Sequence, residues 1–375
     1  MGSIVRIGVD ARPLSRPAAG ISRAVRNILA ELQRLDCVNE YFLYSDRDFE
    51  FRCINSRWQK KVDASKGLLP GSLWLQMQAR TMASEDDIDV FWGTAHALPL
   101  RLPAKVRKVL TVNDVVWAVF PESMSLYNRF VHHLLVAGSI RRADAISVPS
   151  ESTLDGLQGF LRDSTKDIRV VYYGVESHYV PHDHAGAARY IASKYCIATD
   201  YICTVGTVEP RKNLERLIQA WHILRTRHGC MAELLVAGAQ GWKTSSIQRQ
   251  LSGLGQAHHG IRFLGYVPED DMPLLYSGAS AFVFPSLYEG FGLPLLEAMA
   301  CGAPVVASNS SSIPEVVGGA GILVDPLKPE EFAKAIIRVR CDLDLRSSMI
   351  QKGLQRARQF NWAATAKGML SIMCE

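Results

Sequence analysis

The sequence has no apolar run approaching the ~20 residues of a membrane-spanning helix, so we expect no integral membrane segment. Its first residues, MGSIVRIGVDAR, run directly into a strand pattern and lack the regions of a secretory signal peptide. Eight cysteines are scattered without a CxxC pair or zinc-site spacing, which is typical of free thiols in a reducing compartment. These absences predict a cytoplasmic protein without a bound metal, at most peripheral on the inner face of the membrane.

A strong charge imbalance is also missing. The 42 lysines and arginines exceed the 37 aspartates and glutamates by five, a mildly basic balance that permits contact with phosphates. No basic stripe with interleaved aromatic residues is present, so we expect no nucleic-acid partner. No G-x-G-x-x-G motif follows the first strand pattern, which argues against a dinucleotide-dependent oxidoreductase.

The chain of 375 residues is long for one domain, and two domains of ordinary size are expected. Short apolar runs alternate with helical patterns along both halves, which predicts the α/β class with parallel sheets. The predicted strands are Ile4–Val9, Tyr41–Tyr44, Ile88–Trp92, Lys108–Val112, Ala145–Ser150, Val170–Val175, Tyr201–Thr207, Glu233–Gly238, Ile261–Val267, Ala281–Phe284, Val305–Ala307 and Gly321–Pro326. A polar, turn-rich stretch predicts a linker around residues 176–188.

One stretch of the second half combines a strand, a glycine loop and a helix start. The apolar run Ala281–Phe284 leads into the loop Glu289–Gly292, and Pro294 fits the first turn of a helix. A helix N-terminus behind a glycine loop offers free backbone N–H groups to an anion. Glu289 and Glu297 flank this start, and a carboxylate can accept hydrogen bonds from the two hydroxyls of a cis-diol.

A second anion site is predicted where the second half begins. The strand Tyr201–Thr207 ends in a turn at Gly206, and the cations Arg211 and Lys212 follow just before a helix that starts at Leu214. Fixed positive charge beside the N–H groups of a helix start suits a diphosphate. A solvated surface charge is the alternative reading of these two side chains.

The first half offers two weaker candidates. Gly20 precedes an amphipathic helix from Ile21 to about Gln33 and suits either the approach of a phosphate or a flexible turn. Asn113 and Asp114 follow the strand Lys108–Val112, at the sheet edge where ligands of open α/β sheets bind.

Glu289 and Glu297, with seven residues between them around Gly-Phe-Gly-Leu-Pro, closely resemble the E-x7-E signature of retaining glycosyltransferases of family 4 type. The runs Gly8–Arg12 and Arg211–Asn213 add to this resemblance. It implies the GT-B fold, with two Rossmann-like parallel-sheet domains that face a central cleft. Residues 1–178 would form the acceptor-side domain, residues 188–357 the nucleotide-sugar domain, and residues 358–375 a helix that crosses back.

The resemblance also implies roles for individual residues. Arg211 and Lys212 would hold the nucleotide phosphates, Glu289 the donor sugar, and Glu297 the ribose hydroxyls. Asn113 and Asp114 would lie beside the donor sugar or the acceptor. Further donor contacts would come from Gly20, Ile21, Gly206, Tyr266, Val267, Gly290, Phe291, Gly292 and Leu293.

The implied activity is retaining transfer of a hexose from a nucleotide diphosphate sugar to a hydroxyl group, without a cofactor or metal ion. The sequence looks most similar to bacterial mannosyltransferases of polysaccharide assembly, so GDP-mannose is the favoured donor and a UDP-hexose the second. A lipid-diphosphate-linked glycan is the expected acceptor. The basic, aromatic segments 52–80 and 125–142 either bind that acceptor or form solvated surface.

Two departures keep other functions open. Asn113 stands where many similar enzymes have histidine, and an amide cannot act as acid or base. Thr207 stands where some relatives carry an arginine, so Arg211 and Lys212 must hold the phosphates alone. The alternatives are a catalytically silent subunit that binds a nucleotide sugar, and a nucleotide-sugar epimerase of the same architecture.

Overall fold

The computed structural model describes residues 4–16, 20–63, 71–120, 135–161, 165–242 and 245–375, without the side chains of residues 256–258. The chain divides into two compact units. The first unit comprises Met1–Gly174 together with Asn361–Glu375, and the second comprises Val175–Phe360. The helix predicted over residues 125–142 lies outside the described residues up to position 134, and residues 135–142 are helical.

The first unit is built on a parallel sheet. Within the described residues it has seven strands in the order β3-β2-β1-β4-β5-β6-β7. The strands are β1 (Arg6–Asp10), β2 (Glu40–Ser45), β3 (Trp58–Val62), β4 (Val90–Gly93), β5 (Arg107–Thr111), β6 (Ala145–Val148) and β7 (Asp167–Val170). All four residues of β4 and of β6 are buried, as expected for inner strands of a parallel sheet covered on both faces.

Helices cover this sheet. They are α1 (Gly20–Leu35), α2 (Gly71–Glu85), α3 (Val116–Val119), α4 (Glu151–Phe160) and, at the end of the chain, α13 (Trp362–Cys374). Helix α1 packs against α13, and its apolar residues recur at helical spacing, with Leu29 and Leu32 fully buried. Two side-chain caps begin helices here: Ser150 accepts from the N–H of Thr153, and Asn361 accepts from that of Ala364.

The second unit has its own parallel sheet, with six strands among the described residues in the order β10-β9-β8-β11-β12-β13. They are β8 (Tyr201–Val205), β9 (Glu233–Ala237), β10 (Ile261–Gly265), β11 (Ala281–Phe284), β12 (Val305–Ser308) and β13 (Ile322–Val324). The helices are α5 (His184–Tyr195), α6 (Leu214–His228), α7 (Ser245–Gly253), α8 (Met272–Ser277), α9 (Leu293–Ala300), α10 (Ile313–Val317), α11 (Pro329–Cys341) and α12 (Leu343–Ala357). Trp221 of α6 and Phe332 of α11 anchor the core on one face of the sheet.

The predicted α/β class with two parallel sheets is confirmed, and three local predictions are wrong. The strand predicted at Val170–Val175 is Asp167–Val170, because the chain leaves the sheet and Gly174 lies against the backbone of Trp362. Strand β3 was not predicted, because its lysines on one sheet edge have the pattern of a solvated surface. Helix α5 begins inside the predicted linker, where Asp183 caps it at Gly186.

Candidate active site

A buried ion cluster lies at the carboxyl edge of the second sheet. One carboxylate oxygen of Glu289 accepts from Lys212 Nζ at 2.7 Å, and the other accepts from Arg211 Nη1 at 2.7 Å. Arg211 also donates through Nη2 to Glu209 at 2.6 Å. The structure therefore brings together three residues that the sequence predicted for the donor site, and adds Glu209, which it did not.

The order of strands explains why these residues meet. Arg211 and Lys212 follow β8, Glu289 follows β11, and these two strands are neighbours in the sheet. The short turn Pro210–Lys212 ends at Asn213, whose backbone is left-handed at φ 55°. The amide of Asn213 donates to the carbonyl oxygens of Pro285 at 3.0 Å and Pro326 at 2.7 Å, which fixes the turn against the neighbouring loops.

A second set of hydrogen bonds holds the Glu289 loop from the other side. The N–H of Glu289 donates to Ser311 Oγ at 2.9 Å. The hydroxyl of Ser312 donates to the carbonyl oxygens of Glu289 at 3.0 Å and Phe291 at 2.7 Å. The sequence analysis missed both serines, although the polar run Asn309–Ser312 directly after β12 is a signal for a loop at the same sheet edge.

The cluster is strongly ionised. Burial by itself would raise the pKa of Glu289, but Lys212 and then Arg211 outweigh it and hold that pKa at about 2. Burial lowers the pKa of Lys212, and the attraction of Glu289 offsets only part of this. Two cations and the two carboxylates of Glu209 and Glu289 therefore balance one another in the absence of a ligand.

A small cavity opens beside Lys212. It is lined by Thr204, Val205, Gly206, Thr207, Val208, Lys212, Leu214, Val236, Phe284 and Ser286. Gly206 has a φ of +147°, which side chains rarely adopt, and a Cβ there would lie 3.2 Å from Lys212 Cε. The ammonium of Lys212 lies 5.2 Å from the centre of the Phe284 ring. The glycine therefore keeps a side chain away from this face of Lys212.

The glycine loop ends in the start of helix α9, as the sequence predicted. Gly292 has a φ of +113° and precedes Leu293, the first residue of the helix. The backbone from Gly290 to Leu293 is buried, and the ring of Phe291 packs edge-on against Phe360 with centroids 5.9 Å apart. These contacts make the loop a rigid carrier for Glu289.

Glu297 has a different setting from Glu289. Its side chain is on α9, which is buried nearly all round, and only 1% of the residue is exposed. The hydroxyl of Tyr276, itself fully buried, donates to Glu297 Oε2 at 2.8 Å. Burial and the Glu297 charge raise the pKa of Tyr276 well above its usual value, so this hydroxyl keeps its proton.

The predicted nucleobase contacts follow β10, at the same sheet edge. Tyr266 is 67% exposed, and Val267 is buried. An exposed ring offers a flat surface for stacking, and the buried valine fixes the adjoining backbone.

The remaining candidates belong to the first unit. Asn113 is buried: its amide donates to the carbonyl of Thr94 at 3.1 Å, and its oxygen accepts from the Tyr173 hydroxyl. Asp114 accepts from the N–H of Val116 at 3.1 Å. Both residues lie at the carboxyl end of β5 and hold local backbone.

Gly20 is the exposed first residue of α1, and Ile21 is half-buried. Among the described residues, a Cβ on Gly20 would meet no atom within 4 Å.

None of the described helices is long and apolar enough to cross a membrane. Within the described part of the chain, no three side chains of His, Cys, Asp or Glu gather as the ligands of a metal ion would.

Two family models match the chain. One is described as Glycosyltransferase Family 4 and matches residues 18–179, and the other is described as Glycosyl transferases group 1 and matches residues 199–342.

Curated relatives match part of the chain. The O-antigen chain mannosyltransferase B of Escherichia coli is 42% identical over 187 residues, which cover 50% of this chain and 49% of that protein. The serotype-specific mannosyltransferase WbdA of Escherichia coli is 30% identical over 227 residues, 60% of this chain and 28% of WbdA. The D-inositol 3-phosphate glycosyltransferase of Salinispora arenicola is 35% identical over 182 residues, 46% of this chain and 41% of that enzyme. The chain thus spans about half, or less, of the length of these relatives.

Solved structures match nearly end to end. Anabaena HepE in complex with UDP and glucose superposes with a TM-score of 0.74 at 17% identity, covering 98% of each chain. WaaG, a glycosyltransferase involved in lipopolysaccharide biosynthesis, gives 0.72 at 16% identity, covering 99% of this chain and 100% of WaaG. At these identities the likeness shows the fold alone, and it confirms the predicted GT-B class. The first half of the chain is thus similar to domains of Glycosyltransferase Family 4, and the second half to those of Glycosyl transferases group 1.

Proposed function

We propose that this protein transfers a hexose, with a mannose-type sugar favoured, from a nucleotide diphosphate sugar to a glycan or lipid-linked glycan in cell-surface polysaccharide synthesis. The observation that carries the proposal is the pairing of Glu289 with both Arg211 and Lys212 at the carboxyl edge of the second sheet. The match to family 4 and group 1 domains and the mannosyltransferase names of two relatives support the same reaction class.

The chemistry of the leaving group indicates what the two cations do. Breaking the bond between sugar and phosphate leaves negative charge on the nucleoside diphosphate. Arg211, Lys212 and the backbone N–H groups at the start of α9 are fixed donors that stabilise this charge as it develops. We propose that they do so without a metal ion.

Glu289 binds the sugar once the phosphates of the donor have bound Arg211 and Lys212. In the ligand-free structure its two oxygens are each paired with a cation. A diphosphate that draws Arg211 and Lys212 to itself leaves this carboxylate free to accept from sugar hydroxyls and to steady positive charge on the ring. Retention then follows from attack on the same face, with the donor phosphate taking the acceptor proton.

The proposal also assigns residues to the nucleoside and to the acceptor. Tyr266 and Val267 would hold the base, and Glu297 the ribose after exchanging its bond to Tyr276. GDP-mannose is the favoured donor, a UDP-hexose the second, and a lipid-diphosphate-linked glycan the acceptor. Asn113 and Asp114 would position substrate through hydrogen bonds alone, because neither residue is placed as an acid or base.

The test is a donor panel on the purified protein. GDP-mannose, UDP-glucose, UDP-N-acetylglucosamine and their free diphosphates are compared by thermal shift and by slow release of diphosphate. We expect one base to stabilise the protein preferentially and its sugar donor to be hydrolysed. Glu289→Ala and Lys212→Ala should each abolish turnover. Stabilisation without any turnover would favour the silent subunit, and conversion of the donor to its epimer would favour an epimerase.

A further inference from the structure

Three consecutive serines bind the backbone of the loop that carries Glu289. They come just after β12, and the Glu289 loop comes just after β11, the strand beside it. The hydroxyl of Ser310 donates to the carbonyl of Ser286 at 3.1 Å. Ser311 accepts from the N–H of Glu289, and Ser312 donates to its carbonyl oxygen. The serines therefore hold the loop at its start and on both sides of Glu289.

Ser311 has an unfavourable backbone conformation. Its φ is 50°, in the left-handed region that residues with a side chain rarely adopt. Such a conformation persists only where the surrounding structure imposes it, and it is frequent at functional sites. In this conformation Ser311 Oγ accepts from the N–H of Glu289 at 2.9 Å.

Ser312 departs from a second local preference. It directly precedes helix α10, at the position where a serine hydroxyl usually accepts from an N–H of the helix. Within the described residues this hydroxyl caps no N–H of α10. It donates instead to the carbonyl oxygens of Glu289 and Phe291, and Ser312 is fully buried. Two neighbouring residues thus give up a local preference, and both bind the same loop.

These bonds fix the two peptide groups that flank the Glu289 side chain. The N–H belongs to the peptide plane before its Cα, and the carbonyl belongs to the plane after it. With both planes held, the direction of the Cα–Cβ bond of Glu289 is fixed. The cations that hold the carboxylate belong to a different segment, the turn that Asn213 anchors to Pro285 and Pro326. Glu289 therefore has two independent supports, one at its backbone and one at its carboxylate.

Donor binding would remove only the second support. In the proposed reaction Arg211 and Lys212 turn to the diphosphate, and Glu289 loses its two ion pairs at 2.7 Å. The serine bonds involve neither cation, so they would remain. Because a misplacement of about 1 Å can lower a rate about a hundredfold, the backbone support is needed most at this stage.

We propose that Ser311 and Ser312 are positioning residues that keep Glu289 aimed at the donor sugar once the diphosphate has bound the two cations. This inference rests on the proposed function, because it concerns the step of sugar transfer. The left-handed backbone of Ser311 then lowers stability in exchange for a fixed Glu289. Neither serine takes part in holding the nucleotide.

Ser311→Gly separates positioning from stability. Glycine adopts a φ of 50° readily but has no hydroxyl, so the variant should melt at the wild-type temperature or above it. GDP-mannose and UDP-glucose are the donors used, with the release of diphosphate measured by steady-state kinetics. We expect kcat to fall roughly tenfold to a hundredfold. The Kd for GDP and UDP, measured by calorimetric titration, should be unchanged.

Two further variants complete the comparison. Ser312→Ala should show the same loss of kcat with a lower melting temperature, because two buried carbonyl oxygens lose their donor. Cys196→Gly is the matched control: Cys196 follows α5, its side chain is exposed, and its φ is 52°. This control removes the same backbone strain outside the Glu289 loop, so kcat and Kd should equal those of the wild type.

Hydrogen exchange followed by mass spectrometry adds a readout that does not depend on turnover. A peptide covering residues 286–292 contains the Glu289 amide, which Ser311 should protect equally with and without GDP or UDP. In Ser311→Gly the same peptide should exchange faster in both states.

Several results would overturn the inference. Unchanged kcat in both serine variants would do so, while hydrolysis of the donor by the wild type would leave the transferase proposal standing. Loss of the amide protection when GDP or UDP binds the wild type would show that the serine bonds do not survive donor binding. An equal fall of kcat in Cys196→Gly would assign the effect to a looser backbone. A lower melting temperature with lost diphosphate binding in Ser311→Gly would assign Ser311 a purely structural role. If the wild type binds no diphosphate and hydrolyses no donor, the transferase proposal fails, and this inference fails with it.

Discussion

Glu289→Gln should bind a free nucleoside diphosphate more tightly than the wild-type protein, although it should lose sugar transfer. The carboxylate of Glu289 pairs with both cations, at 2.7 Å from each, so a diphosphate must compete with it for them. The glutamine keeps the shape of the side chain but removes the charge that opposes the phosphates.

The expected gain follows from the bonds involved. A hydrogen bond to a charged group contributes about 1.5–3 kcal/mol, and about 1.4 kcal/mol corresponds to a tenfold change in Kd. Because Arg211 keeps Glu209 as a partner, we count one such bond and expect diphosphate Kd to fall roughly tenfold to a hundredfold. The same substitution leaves Lys212 without its buried counter-charge and should cost the ligand-free protein about 3–5 kcal/mol of stability.

Calorimetric titration with GDP and UDP measures the affinity, and thermal unfolding with and without diphosphate measures the stability. Without diphosphate, the variant should have a lower melting temperature than the wild type. Its melting temperature should rise more than that of the wild type when diphosphate binds. Glu330→Gln, at an exposed position in the same unit, is the control and should change neither quantity. A diphosphate Kd that rises or stays constant in Glu289→Gln would refute the competition between carboxylate and phosphate.

Three further predictions concern the same unit. Glu209→Gln removes the anion that holds Arg211 at 2.6 Å, so donor KM should rise about tenfold with a smaller change in kcat, measured by steady-state kinetics. Tyr276→Phe removes the hydroxyl that donates to the buried carboxylate of Glu297 and should lower the free energy of unfolding by about 1–3 kcal/mol in denaturant titrations. The pKa of Glu289 falls from 4.5 to about 2 on folding, so its contribution to stability is complete above pH 4.5 and lost as the pH falls toward 2. Acid unfolding followed by circular dichroism should therefore be less steep over this interval in Glu289→Gln than in wild type.

The strands and the glycine loop could be predicted because their signals are local. Apolar runs marked the inner strands, and Gly292 with Pro294 marked the start of α9. Strand β3 could not be predicted, because its polar run Gln59–Lys61 suits an edge strand and a solvated surface equally. What makes it a strand is Trp58 stacked on Tyr41 of β2 at 3.9 Å, a contact between distant residues.

The pairing inside the candidate site depends on sheet order, which no local pattern carries. Arg211 and Glu289 are 78 residues apart and meet only because β11 lies beside β8. The sequence could predict each of them as a candidate for the site, but not that one would neutralise the other. The buried setting of Glu297 could not be predicted either. Helix α9 is apolar nearly all round, so its sequence does not show which side of the helix would face a ligand.

In the proposed reaction, the pairing of Glu289 with the two cations would connect donor binding with the chemistry of transfer. Lys212 and Arg211 keep the Glu289 carboxylate ionised against the effect of burial. A diphosphate that binds these cations would remove the interactions that hold the pKa of Glu289 at about 2. The buried carboxylate would then need other hydrogen-bond donors to stay ionised. The hydroxyls of the sugar attached to that diphosphate are the donors that arrive with it. A free phosphate would release Glu289 without satisfying it, so the site should distinguish a nucleotide sugar from a nucleotide by the partners it offers to this one carboxylate.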